Sequence, residues 1–142
     1  MATHAQVDSL KLLCTLREIP PVYFVFDSTD LSPIQTKNFK FAKVSEETVI
    51  DQLSGLLDSS VDSKLELIGC VDGTEDAGLA MRRAQELKRL LVSSGANQDR
   101  VVVREDQGRP AIPEDYLKRL VTDDERSRAR RLNARVIVLL RR

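Results

Sequence analysis

The sequence predicts an α/β (α+β) sandwich, a mixed sheet of about four strands with helices packed on one face. Three observations carry this expectation. Short β-branched or aromatic runs recur at Val22-Tyr23-Phe24-Val25-Phe26, Lys64–Ile68, Arg100–Arg104 and Asn133–Leu140. Segments of helical apolar spacing lie between them. The chain has 142 residues, 42% hydrophobic and 31% charged, enough to bury one core and too short to favour two.

The elements follow in order. Leu10, Leu12, Leu13 and Leu16 predict an N-terminal helix, which Pro20 and Pro21 must end, so residues 1–20 read as a helical extension and 21–142 as the domain proper. Val22–Phe26 is the first strand, and Asp27-Ser28-Thr29-Asp30 stops it. Ser32-Pro33 has the form of a helix start, but Gln35–Lys43 lacks clear periodicity and reads as a broken helix or an inserted loop. A capped helix follows, with Ser45 as its cap, Glu46 and Glu47 in the first turn, and Val49, Ile50, Leu53, Leu56 and Leu57 on one face.

Lys64–Ile68 then forms the second strand, ended by Gly69-Cys70-Val71-Asp72-Gly73. Thr74, Glu75 and Asp76 are expected to open a helix carrying Ala80, Ala84, Leu87 and Leu91 on one face, closed by Ser93-Ser94-Gly95. Arg100–Arg104 is the third strand, Gly108–Pro113 a loop, Asp115–Leu120 a short helical stretch, and Asn133–Leu140 the last strand.

Composition excludes several classes of function. The 22 basic and 22 acidic residues cancel, so the overall charge favours neither nucleic acid nor an anionic membrane. Residues 126–142 hold seven arginines and no acid, yet Asp123, Asp124 and Glu125 adjoin them and no aromatic residue is interleaved, which fits a solvated surface better than a nucleic-acid site. No apolar run approaches the roughly 20 residues of a membrane span, and the first residues lack a signal-peptide pattern. Cys14 and Cys70 permit one disulfide but read more naturally as buried thiols. With His4 as the one histidine, neither a zinc set nor a Cys-His nucleophile can be assembled, and no cofactor is expected. Phe24 and Phe26 read as core, and Phe39 and Phe41 as cover for the inserted loop.

The chemistry concentrates at Asp72 and Arg83. Asp72 falls where a strand gives way to the loop before a helix, the rim position at which α/β sheets bind ligands. Arg83 lies early in that helix, where a cation gains nothing from the helix dipole. Two readings remain open. Arg82 and Arg83 are solvated residues paired with Glu86, or Arg83 and Asp72 face one cleft and offer a guanidinium beside a carboxylate. The second arrangement suits an amino-acid zwitterion.

Three stretches carry a resemblance to a known family. Val22-Tyr23-Phe24-Val25-Phe26-Asp27-Ser28-Thr29-Asp30-Leu31, then Gly69-Cys70-Val71-Asp72 with Leu79-Ala80-Met81-Arg82-Arg83-Ala84, then Asn133-Ala134-Arg135-Val136 occur in that order. Together they resemble the OmpA-like peptidoglycan-binding domain shared by outer-membrane protein A, the peptidoglycan-associated lipoprotein and flagellar stator B subunits. The resemblance covers roughly residues 21–142 and implies an OmpA-like fold. It also implies noncatalytic binding of diaminopimelate in the peptidoglycan stem peptide, a periplasmic location as part of an exported or membrane-anchored protein, and other envelope proteins as candidate partners. On this resemblance Asp72 takes the ligand ammonium, Arg83 its carboxylate, and Asp27 borders the pocket.

The sequence departs from the family pattern at several of these positions. Cys70 and Val71 stand where the family has histidine and threonine, the loop from Asp72 to Leu79 is shorter and lacks the family's asparagine, and Ala134 replaces an arginine. These departures support an alternative, a protein-interaction or scaffold module whose ligand pocket has decayed.

Overall fold

The computed structural model describes residues 19–37 and 40–142. The expected N-terminal helix, Cys14 and Phe39 lie outside these residues. Ile19, the first residue described, packs against the core.

Four strands form the main sheet: β1 (Val22–Tyr23), β4 (Lys64–Gly69), β5 (Val101–Val103) and β6 (Arg135–Arg141). Their spatial order is β1-β6-β4-β5, with β6 antiparallel to both neighbours and β4 parallel to β5. The sheet is therefore mixed, as expected. Alternation along β4 and β6 turns Leu65, Leu67, Val136 and Val138 to one face, where they are buried. Helices α1 (Glu46–Ser59) and α2 (Gly78–Ser93) supply the matching stripes, Val49, Ile50, Leu53 and Leu57 from α1 and Ala84, Leu87 and Leu91 from α2. At Gly69 the sheet and α2 approach so closely that a Cβ there would lie 1.7 Å from the Ala80 carbonyl oxygen.

Local chemistry sets the ends of the helices. The Ser45 side chain accepts from the Thr48 N–H at 3.2 Å and caps α1 as its sequence indicates. The far end of α1 is held by Arg100, whose guanidinium donates to the carbonyls of Leu57 (2.8 Å), Ser60 (2.6 Å) and Ser63 (3.0 Å). The Leu57 and Ser60 carbonyls close the helix C-terminus and the Ser63 carbonyl lies in the turn after it, and a cation there also opposes the negative end of the dipole. Arg100 closes a 3-10 turn, Gln98–Arg100, so the third strand is shorter than the expected Arg100–Arg104.

Three expectations are corrected. The segment after Ser32-Pro33 is neither a helix nor an irregular loop but a hairpin, β2 (Ile34–Lys37) against β3 (Lys40–Lys43). Gln35 decides this. Its buried amide donates to Tyr23 O (2.7 Å) and Ser32 O (2.9 Å) and accepts from Tyr23 N (2.8 Å), so one side chain satisfies the free edge of β1. Phe41 is exposed and packs edge-on against Tyr23 rather than forming a cover.

The second correction is a helix within the arginine-rich segment. After a short helical turn α3 (Glu114–Leu117), α4 runs from Asp123 to Arg131. Thr122 caps it, three acids occupy its first turn and three arginines its last, a distribution that complements the helix dipole at both ends. The final strand accordingly begins at Arg135 rather than Asn133. The third correction concerns the start of α2, at Gly78 rather than Thr74, for a reason that lies in the site itself.

Candidate functional site

Asp72 follows β4 and is fully buried. Its Oδ1 accepts from Asn133 Nδ2 at 2.8 Å. Its Oδ2 accepts from the Thr74 N–H (3.1 Å), the Thr74 hydroxyl (2.5 Å) and Arg130 Nη1 (3.0 Å). The turn of Thr74 back onto Asp72 keeps this segment from entering the helix, which is why α2 begins late. Burial by itself would raise the Asp72 carboxyl. The bonds from Thr74, Asn133 and Arg130 outweigh burial and hold it below the ordinary carboxylate range.

Arg83 is also fully buried, in the second turn of α2, with its guanidinium 5.8 Å from the centre of the Phe24 ring. Its Nε donates to Ser28 O (3.0 Å), Nη1 to Cys70 O (3.0 Å) and to Glu75 Oε1 (2.9 Å), and Nη2 to Val25 O (3.3 Å) and to Glu75 Oε2. All five N–H groups of the guanidinium are used. The pairing of Arg83 with Glu86 that the spacing permitted does not form, because Glu86 binds Arg89 and Arg82 binds Asp76.

Glu75 departs most from its expected place in the first turn of the helix, lying in the loop before α2. Its carboxylate is not a solvated acid at a helix start but a buried group gripped from four directions. Arg83 supplies two donors, the Asp72 N–H a third at 2.8 Å, and the Asp27 N–H a fourth at 2.7 Å. Burial would raise the Glu75 carboxyl, but Arg83 and the two amides outweigh it and the net direction is down. The one available signal was an acid in the short loop joining Asp72 to Arg83, and periodicity assigned that acid to the helix.

Asp27 reaches the same place by its backbone. Its φ of +58° is left-handed, a conformation uncommon outside glycine, and it turns the amide toward Glu75 while the side chain stays exposed. Asp72, Arg83 and Asp27 therefore do meet, through the Glu75 carboxylate rather than through an open cleft between them.

A groove of about 400 Å³ adjoins this cluster, lined by Phe26, Asp123, Arg126, Ser127, Arg130 and Arg131. Phe26, expected in the core, is half-buried on its wall. Arg130 links groove and cluster: it binds Asp72 and, through both terminal nitrogens, Glu114 (3.0 and 2.9 Å). The Glu114 and Asp72 carboxylates raise its already high pKa further, so it is a permanent cation. Asn133 fixes the opposite side of Asp72, with its amide also donating to Ile112 O (3.0 Å) and accepting from Ile112 N (2.7 Å).

No further chemistry gathers elsewhere among the described residues. No group of three or more His, Cys, Asp or Glu side chains is placed to hold a metal ion, and no helix is long and apolar enough to cross a membrane. Cys70 is a buried free thiol, and burial pushes its pKa up, so it is neither accessible nor activated.

Fold and site together define a small α+β domain with a buried carboxylate seat at the end of its central strand. No protein-family model matches the chain, and no curated protein sequence does. Solved structures do match. The peptidoglycan-associated lipoprotein from Burkholderia pseudomallei aligns with a TM-score of 0.58 at 18% identity, over 86% of this chain and 90% of that one. The C-terminal domain of Helicobacter pylori MotB aligns with a TM-score of 0.58 at 18% identity, over 87% and 85%. The OmpA-like domain of FopA1 from Francisella tularensis gives 0.52 at 13%, over 86% and 72%. The fold is OmpA-like.

Proposed function

We propose that this domain is a noncatalytic binder of peptidoglycan that attaches a parent protein or complex to the cell wall from the periplasmic side. The observation that carries the reading is the seat around Glu75: four donors converge on one carboxylate, one of them the N–H of Asp72, whose own buried carboxylate is the second charge of the site. A ligand bearing a carboxylate and an ammonium on one carbon, such as diaminopimelate of the stem peptide, matches that pairing. Arg83 with the amides of Asp27 and Asp72 receives the carboxylate, and the Asp72 side chain receives the ammonium. The groove of Phe26, Arg126 and Arg131 takes the flanking anionic peptide. The likeness in fold to a peptidoglycan-associated lipoprotein supports this reading.

No bond is broken in this function. Charge-assisted hydrogen bonds contribute about 1.5–3 kcal/mol each, and ordering costs offset much of that, so one site binds in roughly the micromolar to millimolar range. Several copies on one wall would give firm attachment.

A second reading, a protein-interaction or scaffold module, is favoured by one feature: the chain's own charges, Glu75 and Arg130, already satisfy Arg83 and Asp72. Co-sedimentation with insoluble peptidoglycan separates the two. Wild type should pellet with diaminopimelate-type walls more than with lysine-type walls, and Asp72→Ala, Arg83→Ala and the exposed groove change Arg131→Glu should each lower recovery. Equal recovery of all four proteins refutes the wall-binding assignment and leaves the scaffold reading.

A further inference from the structure

We propose that Glu75 is an intramolecular stand-in for the ligand carboxylate, so that the structure shows the site in a closed, self-occupied state and binding requires Glu75 to leave. The inference rests on the wall-peptide reading for the identity of the incoming ligand, but not for the exchange itself.

Three observations carry it. The first is chemical. A bidentate guanidinium and two convergent backbone amides make a receptor for a carboxylate, and Glu75 is the carboxylate in it. Arg130 completes the imitation on Asp72, where it occupies Oδ2 as a ligand ammonium would. The chain thus supplies both charges of a zwitterion from two separate segments.

The second is mechanical. Within the loop Gly73–Gly78, Glu75 is buried while Gly73, Thr74, Asp76, Ala77 and Gly78 are all exposed. One turn bond, Glu75 N–H to Asp72 O at 2.9 Å, fixes its backbone. Glycines stand on both sides of it, at Gly73 and Gly78, where φ/ψ change meets the least resistance. No side chain caps the start of α2 at Ala77. Thr74 ties the start of the loop to Asp72 Oδ2 through its N–H and hydroxyl, and beyond Thr74 the Glu75 carboxylate is the loop's buried anchor.

The third is energetic. Desolvation of a buried ion pair cancels much of its attraction, so closure is worth far less than the number of bonds suggests. A ligand that restores the same four bonds with its own carboxylate can take the seat while Glu75 returns to water. The cost appears as lowered apparent affinity, in proportion to the fraction of molecules that are open.

The test compares wild type, Glu75→Ala and Glu75→Gln of the whole chain by NMR, following the Asp27 and Asp72 amides. The probes are acetate and a stem tripeptide ending in diaminopimelate. In Glu75→Ala, acetate should shift both amides saturably, and the tripeptide should bind at least tenfold tighter than to wild type, whose amides acetate leaves unmoved. Absence of saturable acetate binding in folded Glu75→Ala overturns the proposal. So does tripeptide binding that is measurable in both proteins and equal in affinity.

If Glu75→Ala does not fold, Glu75→Gln decides, because it keeps the length of the side chain and loses the charge that Arg83 holds. A severalfold gain in tripeptide affinity supports the stand-in role, and affinity equal to wild type overturns it. Acetate binding without tripeptide binding would uphold the stand-in and refute the wall-peptide reading. Tight tripeptide binding by wild type, unchanged in both variants, would do the reverse.

Discussion

Arg83 and Glu75 form an ion pair in which both side chains are fully buried, and the carboxylate also accepts the amides of Asp27 and Asp72. The pair joins β4, the start of α2 and the loop after β1 at one point. Its two members are unequal in what they leave behind when removed. Without Arg83, the Glu75 charge keeps two amides and no counter-ion. Without Glu75, the Arg83 guanidinium keeps the carbonyls of Val25, Ser28 and Cys70 and the face of Phe24.

Arg83→Ala should therefore destabilise the domain by about 3–5 kcal/mol, the usual cost of stranding one buried charge. Glu75→Ala should cost clearly less. Urea denaturation of the two variants gives the comparison, and equal losses would contradict the asymmetry.

Stability should fall in acid for a specific reason. The folded-state pKa values of Asp72 and Glu75 both lie below their ordinary values, so their contribution is fully present above the unfolded values of about 4. It is lost as pH falls through the lower folded values. The midpoint for urea unfolding should stay level from about pH 7 to 5 and drop below about pH 4. Glu75→Gln, which has no proton to take up there, should drop less steeply.

Gly69→Ala should prevent folding or cost more than about 3 kcal/mol. The obstacle is the Ala80 backbone carbonyl at 1.7 Å, which no side-chain rotation can remove. Gly108→Ala meets a different obstacle, the Cys70 Sγ at 2.4 Å. Cys70→Ala should recover part of that loss, as a thermal-melt double-mutant cycle would read directly.

Arg100→Ala should cost about 2 kcal/mol, because three carbonyls at the end of α1 lose a charged donor together. Arg100→Lys, with one ammonium in place of a planar fork, should recover part of the loss but not all. Thermal melts of the two variants beside wild type are sufficient to rank them.

Local pattern determined a large part of this protein. Alternation along Lys64–Ile68 and the terminal run placed β4 and β6, the stripe from Val49 to Leu57 placed α1, and the glycine-rich exit from β4 placed Asp72 at a strand end ahead of a helix bearing Arg83. These are properties of neighbours in the chain, and burial of one face suffices to enforce them. Where the decisive contact is distant, the sequence was silent or misleading. Gln35 makes the β2–β3 hairpin part of the sheet edge by bonding Tyr23, 12 positions away. The helix in the arginine run is a different case, because its cap, Thr122 accepting from the Glu125 N–H three residues on, is a local signal.

The state of the site belongs wholly to the tertiary structure. Glu75 meets the Asp27 amide 48 positions away, and Asp72 meets Arg130 across 58. An acid or a base in a loop is solvated or buried according to which opposite charge the fold brings beside it, and no local periodicity encodes that choice. The residue types of the site were legible, whereas the bonds that occupy it arise only once three segments of chain converge behind β4.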